Sequence, residues 1–256
     1  MTKLIAQFAT FLAALVCTGA QSADQTHSPD GVAPVPAPRV IITAERDAEW
    51  ASYRYAYKAA ALFAGMTRGR PLIQAHMQIR PVDRNASLEG LEIRLAGKRT
   101  NLMLPIDAIG RATLPMLKEA YEDDAVLRLN RAKGLYYFSG RYSIRERDDG
   151  RYPLGALRAA CEQLIGAQRD VGYRIRLLGK RCVGVRLVYP LSEPASPVTV
   201  QAGADAARAL PLVEGQPFEG SGMGTYKVAT YRFADWPAGG QLLSARRPLA
   251  SGTVYE

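Results

Sequence analysis

Cys161 and Cys182 constrain the possible folds of this chain most. Removal of an N-terminal export signal would take Cys17 with it and leave these two as the remaining cysteines. The chain starts with a positive charge at Lys3, continues with an apolar run over residues 4–16 and then reaches small residues, which is the pattern of a secretory signal peptide. We predict cleavage after Ala20 and a periplasmic or secreted location in a bacterium. Two thiols in one domain usually bridge in such an oxidising compartment, so the sequence predicts a Cys161–Cys182 disulfide.

Two alternatives concern the cysteines. A cysteine directly after an apolar run also begins bacterial lipoproteins, which makes Cys17 a candidate for lipidation, although Val16 stands where that signal carries Gly, Ala or Ser. A redox role for the later pair is disfavoured, because the sequence lacks the C-x-x-C spacing that lowers the pKa of a thiol. A structural bridge that closes a loop of about twenty residues contributes roughly 3 kcal/mol in the chain-entropy model.

Charge and composition narrow the range of partners. The chain has a net charge of +9, with 33 Lys and Arg against 24 Asp and Glu. Such an excess favours anionic partners, here an anionic envelope polymer or the phosphates of lipopolysaccharide, with a protein partner as a further option. Residues 21–40 are rich in proline and poor in apolar side chains, so we predict a disordered tether there. After the signal, no stretch approaches eighteen consecutive apolar residues, and no transmembrane segment is predicted.

Hydrophobic periodicity predicts an α+β fold rich in β-structure, built as an antiparallel sheet or sandwich. An amphipathic helix is predicted over Thr43–Ala64, and a second helix over Leu154–Gln168 turns Cys161 inward. Short runs of period two predict strands at Ile73–Arg80, Leu91–Leu95, Asn101–Pro105, Ala112–Leu114, Ala125–Asn130 and Tyr136–Arg145. The expected organisation is a signal peptide over 1–20, the tether over 21–40, an α+β core domain over 41–190 and a C-terminal β-rich segment over 191–256 that completes the core.

A β-hairpin is predicted after the second helix, with strands Tyr173–Leu178 and Cys182–Tyr189 around the loop 179–181. The disulfide would then tie the helix to this hairpin. A three-residue loop separates an apolar face from a face that carries the arginines, whereas a two-residue loop scatters the arginines over both faces. The predicted arginine face holds Arg174, Arg176, Leu178, Cys182, Gly184 and Arg186. Tyr226–Phe233 and Gln241–Arg246 predict a final hairpin.

The concentration of positive charge between residues 158 and 189 is the strongest functional signal in the sequence. A rigid basic surface can seat phosphate or carboxylate groups, and the plain alternative is a solvated face. The predicted binding residues are Arg174, Arg176, Lys180, Arg181 and Arg186. The leading hypothesis is an exported, non-enzymatic cell-envelope protein with a binding or structural role toward anionic envelope components.

Catalytic and metal chemistry find little support in the residue pattern. The two histidines, His27 and His76, have no Cys, His or carboxylate nearby at ligand spacing in the exported chain, so neither a metal site nor a cofactor is predicted. Ser221 follows Gly220 directly, which departs from the G-x-S-x-G pattern of hydrolases and favours a loop. The alternative hypothesis is a secreted hydrolase that uses His76 with an unidentified Ser or Asp.

Overall fold

The computed structural model of the protein describes residues 48–203, 206–220 and 222–256. The predicted signal peptide and tether, Cys17, His27 and Ser221 lie outside the described residues, as does the start of the predicted helix Thr43–Ala64. The helices are α1 Tyr53–Thr67, α2 Lys118–Glu122 and α3 Leu154–Gln168. The strands are β1 Ala48–Ser52, β2 Ile73–Pro81, β3 Ile93–Ala96, β4 Asn101–Leu104, β5 Arg111–Ala112, β6 Val126–Ala132, β7 Tyr136–Ile144, β8 Arg151–Pro153, β9 Cys182–Tyr189, β10 Val198–Gln201, β11 Arg208–Ala209, β12 Leu212–Gly215, β13 Tyr226–Arg232, β14 Gln241–Ser244 and β15 Ala250–Tyr255.

Within the described ranges the strands assemble into three antiparallel sheets. A seven-stranded sheet has the order β12-β13-β9-β15-β7-β2-β5. Two four-stranded sheets have the orders β1-β6-β3-β4 and β11-β10-β14-β8. The prediction of a β-rich fold with antiparallel sheets is therefore confirmed.

Alternation along the strands separates the two faces of the seven-stranded sheet. Ile73 of β2 lies opposite Ile144 of β7, and both are buried in one core cluster with Leu157 and Leu164 of α3. We call this side the apolar face, and α3 covers it. The side chains one position along point the other way and form what we call the polar face. On β2 and β7 its members are Gln74, His76, Gln78, Arg80, Tyr137, Ser139, Arg141 and Ser143.

Helix α1 covers another part of the apolar face. The ring of Phe63 stacks on that of Tyr142, with 4.8 Å between their centroids. This approach needs Gly140, because a Cβ atom there would lie 2.6 Å from the Phe63 ring. At the other end of α1, Tyr53 is buried in a second core with Ile93 and other residues of the β1-β6-β3-β4 sheet. The helix thus contacts both cores.

The N-terminal helix begins later than the sequence pattern predicts. Ala48–Ser52 form β1, which pairs with β6 through Trp50 and Arg128. The predicted helix Thr43–Ala64 is therefore wrong over 48–52, and α1 extends past Gly65 to Thr67. The pairing edge that β6 provides comes from far along the chain, so periodicity within 43–64 could not reveal it.

The predicted disulfide is confirmed, and the predicted hairpin is wrong. Cys161 of α3 is bonded to Cys182 at the start of β9, with Cα atoms 6.0 Å apart. Tyr173 ends a π-helical turn and residues 174–178 form turns, in which the Leu177 N–H donates to the Tyr173 carbonyl at 3.0 Å. β13 and β15 pair with the two edges of β9, so no edge is left for a hairpin partner. The predicted final hairpin is also wrong, because β13 and β14 lie in different sheets.

Two glycines give a matched test of this packing. A Cβ atom on Gly184 of β9 would lie 2.6 Å from the backbone oxygen of Tyr231, whereas one on Gly155 of α3 would meet nothing within 4 Å. We expect Gly184→Ala to lower the free energy of unfolding by about 1–3 kcal/mol through overpacking. Gly155→Ala should raise it by up to about 1 kcal/mol through helix propensity. Urea unfolding checks both, and equal changes would contradict the close strand contact.

Candidate functional site

A π-helical turn over Arg169–Tyr173 follows α3, and turns over residues 174–179 then lead toward β9. We call residues 173–181 the basic segment. Leu177 is buried at 2 % exposure and anchors the middle of the segment. Arg169 donates from Nη2 to the carbonyl of Lys180 at 2.7 Å. At the end of the segment, the backbones of Arg181 and Glu256 exchange hydrogen bonds of 2.8 and 3.1 Å. The base of the segment is therefore tied to the fold.

The basic segment exposes apolar and cationic side chains together. Ile175 is 91 % exposed and Leu178 is 82 % exposed. Arg174, Lys180 and Arg181 are exposed beside them, and none of the three forms an ion pair with the residues that the structure describes. Apolar side chains flanked by Lys and Arg are typical of surfaces that bind at the interface of anionic membranes.

Of the other two predicted binding residues, Arg186 is separated from this surface, whereas Arg176 is exposed within the basic segment. Arg186 lies within β9, is 16 % exposed and forms an ion pair with Glu219. It also donates to the carbonyl of Gln216 at 3.1 Å. Arg176 belongs to the basic segment but lines a cavity with Arg80 and Arg141. The five predicted residues therefore do not share one face, because the hairpin that would have aligned them is not formed.

The cavity beside Arg176 has a volume of about 320 Å³. We call it the arginine pocket. It lies beside the junction of β7 and β15, which pair at one position, Ser251 with Ile144. Its lining includes Phe63, Arg80, Ser139, Gly140, Arg141, Gln168, Tyr173, Arg176, Glu219 and Tyr255.

Among the described residues, no carboxylate forms an ion pair with Arg80, Arg141 or Arg176 in the arginine pocket. The Nε atoms of Arg80 and Arg141 are buried and have no hydrogen-bond partner in the described ranges. Glu219 also lines the pocket, but its carboxylate is paired with Arg186. Burial, together with the nearby charges of Arg80 and Arg176, lowers the pKa of Arg141 to about 10. Arg141 is still protonated at neutral pH, so the pocket is suited to an anion.

The neighbouring Arg111, in contrast, forms ion pairs with two carboxylates. Its Nε donates to the carboxylate of Asp107 at 2.6 Å, and its Nη1 donates to that of Glu146 at 2.8 Å. Glu146 is buried and also accepts a hydrogen bond from Gln74. Both carboxylates are therefore paired with Arg111, and neither balances the positive charge of the arginine pocket.

His76 lies opposite Arg141 on the polar face. Its Nε2 atom is buried and has no hydrogen-bond partner in the described residues. Burial first, and then the charges of Arg111 and Arg141, lower the pKa of His76 to about 3. The imidazole is neutral at physiological pH and is a weak base there.

A second cavity of about 450 Å³ lies between α1 and the apolar face of β2 and β7. We call it the apolar cavity. Its lining includes Ala56, Ala59, Ala60, Phe63, Ala75, Met77, Leu114, Met116 and Phe138. Phe63, Ser139 and Gly140 line both this cavity and the arginine pocket. The two cavities are therefore neighbours across the ring of Phe63.

Sequence reasoning missed Arg80 and Arg141. Both lie on strands outside the region where positive charge is densest. A signal was present, since Gln74, His76, Gln78 and Arg80 occupy alternate positions of a strand with an apolar opposite face. A buried polar row of this kind indicates a second, covered face of the sheet.

Comparison with protein families, with curated proteins and with solved structures finds no match to this chain. In the described ranges, no group of three or more His, Cys, Asp and Glu side chains is arranged to hold a metal ion. Nor does any helix there combine the length and the apolar character needed to cross a membrane.

Proposed function

We propose that this chain is an exported, non-enzymatic binding protein that docks on the anionic lipid phosphates of the cell envelope through the basic segment. The observation that carries the proposal is the exposure of Ile175 and Leu178 beside Arg174, Lys180 and Arg181. The sequence pattern of residues 1–20 and the Cys161–Cys182 bridge support a periplasmic or secreted location.

The energies favour reversible binding at the membrane surface. Full burial of a side chain such as Leu178 or Ile175 contributes roughly 1.5–3 kcal/mol. Each cation held near an anionic bilayer contributes about 1 kcal/mol. Two apolar side chains and three cations are enough for a weak, salt-sensitive association. Arg186 is left out of this surface because Glu219 neutralises it.

Hydrolysis by His76 is not part of the proposal. An imidazole whose pKa is about 3 takes up a proton poorly at neutral pH. Arg111 and Arg141 oppose the positive charge that a general base must acquire. A hydrolase of the type considered from the sequence would need the opposite environment for this side chain.

Vesicle binding tests the proposal. We expect the protein to sediment with phosphatidylglycerol vesicles and not with phosphatidylcholine vesicles, with affinity that falls as salt rises. The double variant Ile175→Asp/Leu178→Asp should bind the vesicles at least about ten-fold more weakly, because the two apolar side chains are no longer buried in the membrane surface. Charge reversal in Arg174→Glu/Lys180→Glu should weaken binding similarly and reduce its dependence on salt.

Matched controls come from exposed residues elsewhere. Val82 is 65 % exposed, so Val82→Asp removes an apolar side chain away from the basic segment. Lys58→Glu/Lys133→Glu makes the same change of net charge at exposed sites. An equal loss in the control and test variants would overturn docking by this segment. Retention on lipopolysaccharide or an anionic polymer without binding to vesicles would overturn the choice of a membrane surface.

A further inference from the structure

We propose that the arginine pocket binds a small, hydroxylated phosphomonoester such as a sugar phosphate, with the phosphate held by Arg80, Arg141 and Arg176. Membrane docking by the basic segment does not need this ligand, so the two proposals can fail independently. Three observations carry it: buried guanidinium nitrogens without hydrogen-bond partners in the described ranges, a cavity larger than one oxyanion, and a polar lining.

Three arginines from separate parts of the fold converge on the pocket. Arg80 comes from β2, Arg141 from β7 and Arg176 from the basic segment. Burial and then the charge of Arg80 lower the pKa of Arg141, with a smaller effect of Arg176, so the three cations are close enough to act on one another. Since no described carboxylate pairs with them, a bound anion would relieve their mutual repulsion. A phosphomonoester carries close to two negative charges at neutral pH, whereas a carboxylate carries one.

Aromatic rings hold two of the guanidinium groups in place. The guanidinium of Arg141 lies 4.2 Å from the ring centre of Phe218, and that of Arg80 lies 5.4 Å from the ring centre of Tyr137. A ring that covers the face of a guanidinium leaves the N–H groups in its plane able to donate. Those groups form the planar fork that matches phosphate oxygens, and an anion here would provide the missing partners of the buried Nε atoms.

The size and the lining of the pocket indicate what else the ligand carries. A water molecule takes up about 30 Å³ of liquid, so an ion of five heavy atoms fills only part of a cavity of about 320 Å³. Ser139, Gln168, Tyr173 and Tyr255 add hydroxyl and amide groups to the lining. The Oε1 atom of Gln168 is buried and has no hydrogen-bond partner in the described part of the chain. A hydroxyl group of the ligand would satisfy it, which favours a sugar over an alkyl chain.

The pocket is accessible from the side of the basic segment. Tyr173, Arg176 and Gly220 are exposed, whereas the Nε atoms of Arg80 and Arg141 are buried. A small ligand can therefore enter past Arg176 and place its phosphate beside the buried nitrogens.

Calorimetric titration of the purified protein tests this inference. The probes are glucose 6-phosphate, inorganic phosphate, glucuronate and glucose. We expect glucose 6-phosphate to bind at least about ten-fold more tightly than inorganic phosphate, because the sugar adds hydrogen bonds. It should also bind at least about ten-fold more tightly than glucuronate, because a dianion meets the three cations. Glucose should not bind measurably.

Two arginines of the basic segment give a matched pair of variants. Arg174 and Arg176 are both exposed, but only Arg176 lines the pocket. Arg176→Gln should weaken the binding of glucose 6-phosphate about ten-fold or more, because a charge-assisted contact is lost. Arg174→Gln should leave it within about two-fold, because solvent and salt screen an exposed charge outside the pocket. Arg141→Lys keeps the charge but removes the planar fork, and it should weaken binding as well.

Ile175→Asp/Leu178→Asp should bind glucose 6-phosphate like the parent protein, which separates this site from vesicle docking. Equal losses in Arg176→Gln and Arg174→Gln would overturn the pocket as the binding site. Glucuronate or inorganic phosphate binding as tightly as glucose 6-phosphate would overturn, respectively, the phosphate or the sugar. Vesicles of phosphatidic acid that bind the parent and Arg174→Gln but not Arg176→Gln, without any binding of glucose 6-phosphate, would overturn a soluble ligand in favour of a lipid phosphate. A lack of binding by every probe would overturn the whole inference.

Discussion

Acidification from pH 6.5 to about pH 4 is expected to lower the free energy of unfolding by up to about 3 kcal/mol through His76 alone. The pKa of His76 is lowered from 6.5 to about 3 in the folded protein, by burial and by Arg111 and Arg141. Above pH 6.5 the imidazole is neutral in both the folded and unfolded states, so it adds no pH dependence. Below that pH the unfolded chain takes up the proton and the folded chain does not, so stability falls until the pH reaches the folded pKa.

The variant His76→Gln isolates this effect. Urea unfolding of both proteins at several pH values should give a steeper loss of stability for the parent than for the variant. Paired carboxyls contribute in a different window, since Arg99 lowers the pKa of Asp123 and Arg147 lowers that of Asp149 to about 2, from an ordinary value of 3.8. These carboxyl groups therefore take up protons only below about pH 4. Parallel loss in the two proteins between pH 6.5 and about pH 4 would contradict the buried, positively flanked position of His76.

Removal of the disulfide is expected to cost about 3 kcal/mol of unfolding free energy. The bridge joins residues 21 positions apart and connects α3 to β9, an inner strand of the seven-stranded sheet. Without it the unfolded chain gains the entropy of an open loop, while Cys161 loses its bonded partner in the core. Cys161→Ala/Cys182→Ala should therefore shift the urea midpoint strongly.

Reduction provides the control for the disulfide. A reducing agent should lower the stability of the parent protein toward that of Cys161→Ala/Cys182→Ala and leave the double variant unchanged. Equal stability of the oxidised parent and the double variant would show that the bridge adds nothing to the fold. A loss in the double variant on reduction would point to an effect unrelated to this pair.

Local pattern predicted the elements whose partners lie close by or whose period is clear. Helix Leu154–Gln168 and strand Cys182–Tyr189 have the predicted bounds, because each shows its period over its whole length. The predicted strand over 173–178 is wrong: its alternation of arginine and apolar residues fits a strand, and yet Ile175 and Leu178 are exposed. The partners that β9 uses instead lie beyond residue 225, and no local pattern could identify them.

The candidate site was predictable only in part. Arg174, Lys180 and Arg181 stand out because they are crowded within a short stretch of sequence. Arg80 and Arg141 come from different strands, and they reach Arg176 only through the order of the seven-stranded sheet. Glu219 neutralises Arg186 across a separation of 33 residues. Which arginines stay unpaired is therefore a property of the tertiary structure.

Hydrogen–deuterium exchange of the protein with and without phosphatidylglycerol vesicles tests docking by the basic segment most directly. Insertion of Ile175 and Leu178 should slow exchange of the amides within 174–179, while phosphatidylcholine vesicles leave it unchanged. The amides of β2 and β7 should exchange equally in both conditions. Unchanged exchange over the basic segment, with slower exchange at another surface of the bound protein, would contradict the account.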